Sequence, residues 1–153
     1  MRKFETPYMA DWFAISLRWI MLVGLIISLG LGQKLGVAIS WPLGLLVAWN
    51  LVMTSLASLN VRMSGHRRIS FMVDIVLAGI FYWVQGGLSG PAFWVGILPI
   101  LTSSIYFELT GAVVAALLFS ILVVYLGIRV DGSPSLSITV AAAMLGLSFV
   151  FGY

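Results

Sequence analysis

Apolar runs of roughly twenty residues succeed one another along this chain with almost nothing between them, and no other feature constrains the fold as tightly. Six runs are legible: Trp12 to Gly32, Val37 to Leu59, Ile69 to Gln85, Pro91 to Phe107, Leu109 to Val130, and Ile138 to Tyr153. As a helix, a continuous run of that length crosses a hydrocarbon core of ~30 Å. A membrane barrel would instead show stretches of about ten residues alternating apolar and polar. The connections, among them Gln33-Lys34-Leu35-Gly36 and Glu108 alone, are so short that consecutive helices must be antiparallel neighbours. The expected fold is all-α, a polytopic membrane protein: a bundle of about six transmembrane helices forming one domain over residues 1–153.

Composition agrees with lipid as the solvent. A chain 61% hydrophobic and 8% charged has too little polar surface to cover a water-soluble globule of 153 residues. With no cysteine, disulfides, thiolate nucleophiles and Cys-based metal sites are impossible. A lone histidine excludes bis-histidine haem ligation. No hydrolytic triad, phosphate loop or metal-ligand cluster is present, so no catalysis by this chain alone and no metal are expected. The net charge of +3 sits in the loops, where it reports topology rather than a nucleic-acid footprint. Arg2, Lys3, Arg62, Arg67 and Arg68 fall on one side, Lys34 and Arg129 on the other, which puts both termini in the cytoplasm. The run after Met1-Arg2-Lys3 is long and interrupted by Asp11 and Arg18, which reads as a retained anchor rather than a signal peptide. The last run is ~24 Å as a helix and has no Lys or Arg after it, so a longer protein continuing into the cytoplasm is expected, against the alternative of a complete small membrane protein whose final helix ends at the interface on Tyr153.

Charge inside the apolar runs marks the first candidate site. Arg18 and Asp74 each lie ~8 to 9 Å from the cytoplasmic end of helices running the same way. A charge in hydrocarbon is costly unless paired, so an Arg18–Asp74 ion pair is expected between the first and third spans, as a static clamp or as a switch. Asn50, nearer mid-membrane, is expected to hydrogen-bond a neighbouring helix. Pro99 falls inside the fourth span and predicts a kink that Thr102, Ser103 or Ser104 helps satisfy. His66 reads as a solvated or headgroup contact among Arg62, Arg67 and Arg68. Ala142 with Gly146, and more weakly Gly32 with Gly36, have the spacing of close helix contacts, within the chain or across a dimer.

The second candidate is Gly86-Gly87-Leu88-Ser89-Gly90-Pro91, an uncharged break flanked by Phe81, Tyr82 and Trp83 before it and Phe93 and Trp94 after it. It reads either as a tight interhelical turn with Pro91 opening the next helix, or as a binding site at the outer surface. Backbone N–H groups of Gly86, Gly87 and Gly90 beside the faces of Trp83, Phe93 and Trp94 suit a neutral, planar, lipid-soluble ligand with carbonyl oxygens. A quinone meets that description.

The order of features resembles the multi-span input domain of bacterial sensor histidine kinases: Arg18-Trp19, then Arg67-Arg68 followed by Asp74, then the glycine loop, then Pro99. It is most similar to the redox-sensing RegB type. That family carries a loop of pattern Gly-Gly-x-x-Asn-Pro-Phe between its third and fourth helices, matched here by Gly86, Gly87 and Pro91. Gly90 stands in place of the Asn, and Ala92 displaces Phe93 by one position. The resemblance implies a quinone-responsive module in a bacterial inner membrane, homodimeric, with the kinase following the sixth helix. A non-catalytic structural subunit docked among other subunits of a bioenergetic or photosynthetic membrane complex is the competing expectation.

Overall fold

The computed structural model describes residues 6–32, 37–59, 65–131 and 134–153. Among them every regular element is helical. The helices are α1 (Thr6–Leu31), α2 (Val37–Ser58), α3 (His66–Val84), α4 (Ile97–Leu126) and α5 (Pro134–Gly152). Two 3-10 turns, Gly87–Ser89 and Phe93–Gly96, lead from α3 to α4, and a π turn, Gly127–Asp131, extends α4. Among the described residues, four helical stretches are long and apolar enough to cross a membrane: Met9–Leu31, Ile39–Ser58, Phe93–Arg129 and Ser135–Gly152. The chain is a helical membrane protein. α3 is not among the four, because its 19 residues carry Arg67, Arg68 and Asp74.

The long stretch is not straight. At Glu108 the backbone takes φ 56 and ψ −148, values no helix contains, and the two legs of α4, 97–107 and 109–126, fold against each other. A Cβ on Gly96 would overlap the ring of Phe119. In a straight helix those residues would stand ~35 Å apart. Nearer the bend, a Cβ on Gly111 would meet the Ser103 carbonyl at 2.7 Å. The reversal thus falls on the residue that separates two apolar runs in the sequence. Pro99 is in the first turn of the first leg, where a helix has no use for its missing N–H, and no break in α4 occurs there. The expected Pro99 kink is therefore replaced by the Glu108 bend.

Contacts sort the chain into two ends. At one, Pro91 packs on Gly32, the Gly87–Ser89 turn meets the Gly127–Asp131 turn, and Gly127 meets Ser137. At the other, Asp11 meets His66 and Arg67, and Gly152 lies against Leu109 beside the Glu108 bend. α5 starts four residues before the expected Ile138, which brings its length to ~28 Å. Arg2, Lys3, Lys34, Gly36 and Arg62, invoked for topology and packing, lie outside the described residues.

Between lipid-soluble helices there is little hydrophobic driving force, so close packing has to hold them together. Ala112, Ala115 and Ala116 on the second leg are fully buried and let the backbones approach. Tyr82 and Phe119 fill the adjoining space edge to face, with centroids 5.6 Å apart. Outward residues such as Ile20, Ile27, Val76 and Val150 are exposed and apolar, as a lipid-facing surface requires.

Candidate functional site

Arg18 of α1 and Asp74 of α3 meet in the interior. Arg18 Nη2 donates to Asp74 Oδ2 at 2.7 Å, and Nε lies 3.1 and 3.2 Å from the two carboxylate oxygens. Only 2% of the Arg18 side chain and 1% of Asp74 are exposed. Two hydroxyls complete the shell. Ser70, one turn before Asp74, accepts a hydrogen bond from Arg18 Nη2. Thr102 Oγ1, in the first leg of α4, lies 2.9 Å from Asp74 Oδ2 and 3.1 Å from its own Leu98 carbonyl. Its single proton goes to the carboxylate, the stronger acceptor. One carboxylate therefore ties α1, α3 and the first leg of α4 together.

The pair lies on a polar line that starts at the end carrying Asp11. Asp11 Oδ1 is 3.4 Å from His66 Nε2 and 3.5 Å from Arg67 Nε, and the Arg67 guanidinium sits 5.5 Å above the Tyr106 ring. His66 is thus held by a carboxylate, and among the described residues no cluster of metal ligands forms. Beyond the pair lies a cavity of about 20 Å³, room for roughly one water. Arg18, Asp74, Asn50 and Trp49 line it together with Trp94 and Leu98. Among the described residues, the buried Trp49 Nε1 has no hydrogen-bond partner, and Arg18 faces the buried Tyr106 as well as Asp74. Asn50 is buried here on α2, while Trp19 Nε1 donates to Thr54 Oγ1 at 3.2 Å, tying α1 to α2.

The glycine loop is closed by its own atoms. Gly86 and Gly87 adopt φ 92 and 67, the left-handed region glycine enters without strain. The buried Gln85 side chain accepts the Ala92 N–H at 2.9 Å, the Gly90 N–H goes to Gly87 O, and Ser89 Oγ donates to Gly86 O. At Gly90 a Cβ would stand 2.7 Å from Gln85 Cγ, so this turn has no room for the Asn of the RegB pattern. Pro91 packs on Gly32 instead of opening a helix, and the chain passes through the tighter Phe93–Gly96 turn before α4 begins.

The aromatic residues flanking the loop do not converge. Trp83 is exposed and lines a groove between α3 and the second leg of α4. Phe93 is exposed. Trp94 turns inward, its ring 3.5 Å from where a Gly24 Cβ would be, and enters the cavity that Arg18 closes. The structure thus joins Trp94 to Arg18, Asp74 and Asn50 and separates it from Trp83. Ser70, Trp49 and Gln85 are the participants that sequence reasoning missed. The signal for Ser70 was its place one turn before Asp74 on the same helix face. Comparison with known proteins finds no family model that matches the chain, and no match among curated proteins or solved structures.

Proposed function

We propose that this chain is the membrane input module of a bacterial two-component sensor histidine kinase, responsive to a quinone, crossing the inner membrane six times with both ends in the cytoplasm. The six-crossing reading draws support from the Glu108 bend, which folds the two legs of α4 against each other, and from the ion pair of Asp74 on α3 with Arg18 on α1, which neutralises the charge inside α3. Arg67 and Arg68 mark their end as cytoplasmic, and Gly152 beside Leu109 brings α5 to that same end. A kinase region after α5 is then cytoplasmic, and phosphoryl transfer belongs to it. Ala142 and Gly146 lie exposed on one face of α5, which suits a close helix contact in a homodimer.

The observation that carries the reading is the carboxylate of Asp74. It holds the helix before the glycine loop to the helix after it, and both to α1. Trp49 Nε1, without a partner among the described residues, offers a donor to a carbonyl oxygen, and Trp94 offers a ring to stack on. A quinone ring exceeds a 20 Å³ cavity, so it enters only when α1 and α2 part from residues 94–98. Ligand and apo states then differ in helix spacing, the differential affinity that a signal needs.

Pull-down from native membranes with intact-mass spectrometry tests the reading. A chain heavier than 16.6 kDa carrying kinase peptides supports it; an intact chain of that mass held among other membrane subunits replaces it with the structural-subunit reading. The absence of cysteine makes topology directly readable. Ser89→Cys should react with an impermeant maleimide on intact cells and Tyr153→Cys only after lysis; the reverse pattern refutes the orientation.

A further inference from the structure

We infer that the seam between α3 and the second leg of α4 seats anionic phospholipids, one in each leaflet, with Arg129 and Arg68 as the phosphate-binding groups. The larger groove, about 650 Å³, runs between Val76 and Gly79 on one side and Leu118 and Leu122 on the other. Gly79 forms part of its wall: a Cβ there would come within 3.0 Å of Leu122. Trp83, Tyr125 and Arg129 gather at its mouth, and the Arg129 guanidinium is poised 5.9 Å over the Tyr125 ring. Tryptophan, tyrosine and arginine together mark the headgroup level of a bilayer. From Ile75 to Trp83 the groove is ~12 Å long, close to the ~15 Å depth of one leaflet's hydrocarbon. An acyl chain lying in it brings its headgroup to Arg129.

A second groove, about 270 Å³, continues the same seam toward the other end of the bundle. Phe71, Met72 and Val114 line it, and Arg68 stands at its end. Two grooves in line, apolar along their length and each closed by an exposed arginine, repeat one chemistry in both leaflets. This charge pattern selects the occupant. A second copy docked symmetrically about the membrane normal would bring Arg68 near Arg68 and Arg129 near Arg129, like charges facing each other. A phosphodiester answers both arginines, and its chains answer the apolar walls.

Native mass spectrometry of the detergent-purified chain, given phosphatidylglycerol or phosphatidylcholine with identical acyl chains, tests this. Two phosphatidylglycerols should be retained in preference to phosphatidylcholine. Arg129→Gln and Arg68→Gln should each weaken one of the two by about fivefold, and Arg129→Lys should keep it. Gly79→Leu, which fills the larger groove, should displace that lipid while α-helical circular dichroism stays unchanged. Equal retention of the two lipids, or phosphatidylglycerol binding unaffected by both Gln variants, overturns the inference. So does a dimer that takes up no lipid and dissociates on Gly79→Leu.

Discussion

Replacing Asp74 by Asn leaves the Arg18 guanidinium without a counter-charge in a place where only 2% of its side chain reaches the surface. The carboxylate takes contacts from Arg18 Nε, Arg18 Nη2 and Thr102 Oγ1; an amide keeps one of its acceptor oxygens and turns an NH₂ toward the arginine. Arginine cannot escape by losing its proton. Breaking a buried pair from one side costs about 3–5 kcal/mol, and an unpaired arginine at the centre of a membrane helix about 2.5–3.5 kcal/mol on insertion scales. Both routes lead to about 3 kcal/mol, roughly a hundredfold in the unfolding equilibrium. Converting the pair to apolar residues, Arg18→Met with Asp74→Leu, removes both charges at once and should recover all but about 1 kcal/mol of that loss. Reversible unfolding in mixed micelles, followed by the fluorescence of the six tryptophans, measures the cycle. An Asp74→Asn protein within about 0.5 kcal/mol of the parent would refute the argument, as would a double variant that loses as much as the two single variants summed. Under the proposed sensor function, signalling by the double variant separates clamp from switch: a clamp tolerates the exchange, and a switch goes silent.

Three further substitutions probe the scaffold around that pair. Gly96→Ala drives a methyl into the Phe119 ring and should cost about 1–3 kcal/mol, recovered in part by Phe119→Leu in the same unfolding assay. Gln85→Leu strips the Ala92 N–H of its acceptor and should cost about 1–3 kcal/mol, with faster proteolysis within residues 86–92 as the visible sign. Glu108→Gly should stabilise by about 1 kcal/mol, because a φ of 56 with ψ −148 strains any residue with a Cβ; a destabilised Glu108→Gly protein would mean the bend is held in another conformation.

Arg18 and Asp74 were legible in the sequence because a charge inside an apolar run has so few acceptable environments that matching depth already names the partner. The threonine of their hydroxyl shell was not. Serine and threonine in a membrane helix routinely bond the carbonyl three or four residues back, as Ser103 and Ser104 do here, so nothing in the sequence distinguishes Thr102, which reaches across to Asp74. The glycine loop was legible as a turn and illegible as a site. Phe93 and Trp94 are neighbours in sequence, yet the tight turn that contains them points one outward and the other inward. Gln85 was read as the last residue of a span, and its role depends on a contact seven residues ahead that only the folded turn creates. The six apolar runs become four qualifying stretches for two reasons: Phe93–Arg129 is one continuous stretch through the bend at Glu108, a single residue's backbone choice, and α3 carries Arg67, Arg68 and Asp74.

That bend also bears on how the protein is made. With no polar loop between them, the two legs of α4 would enter the membrane in immediate succession if each is a separate pass, as proposed. Residues 93–107 alone are at most about 23 Å long as a helix, too short to rest across a bilayer by themselves. On that proposal the first leg would wait, near the membrane surface or within the insertion site, until the second has been synthesised, and the two would enter as a preformed pair. Ribosome stalling at successive positions beyond the second leg, so that each leg in turn clears the ribosome, would time this step: membrane insertion of the first leg should register only once much of the second has emerged.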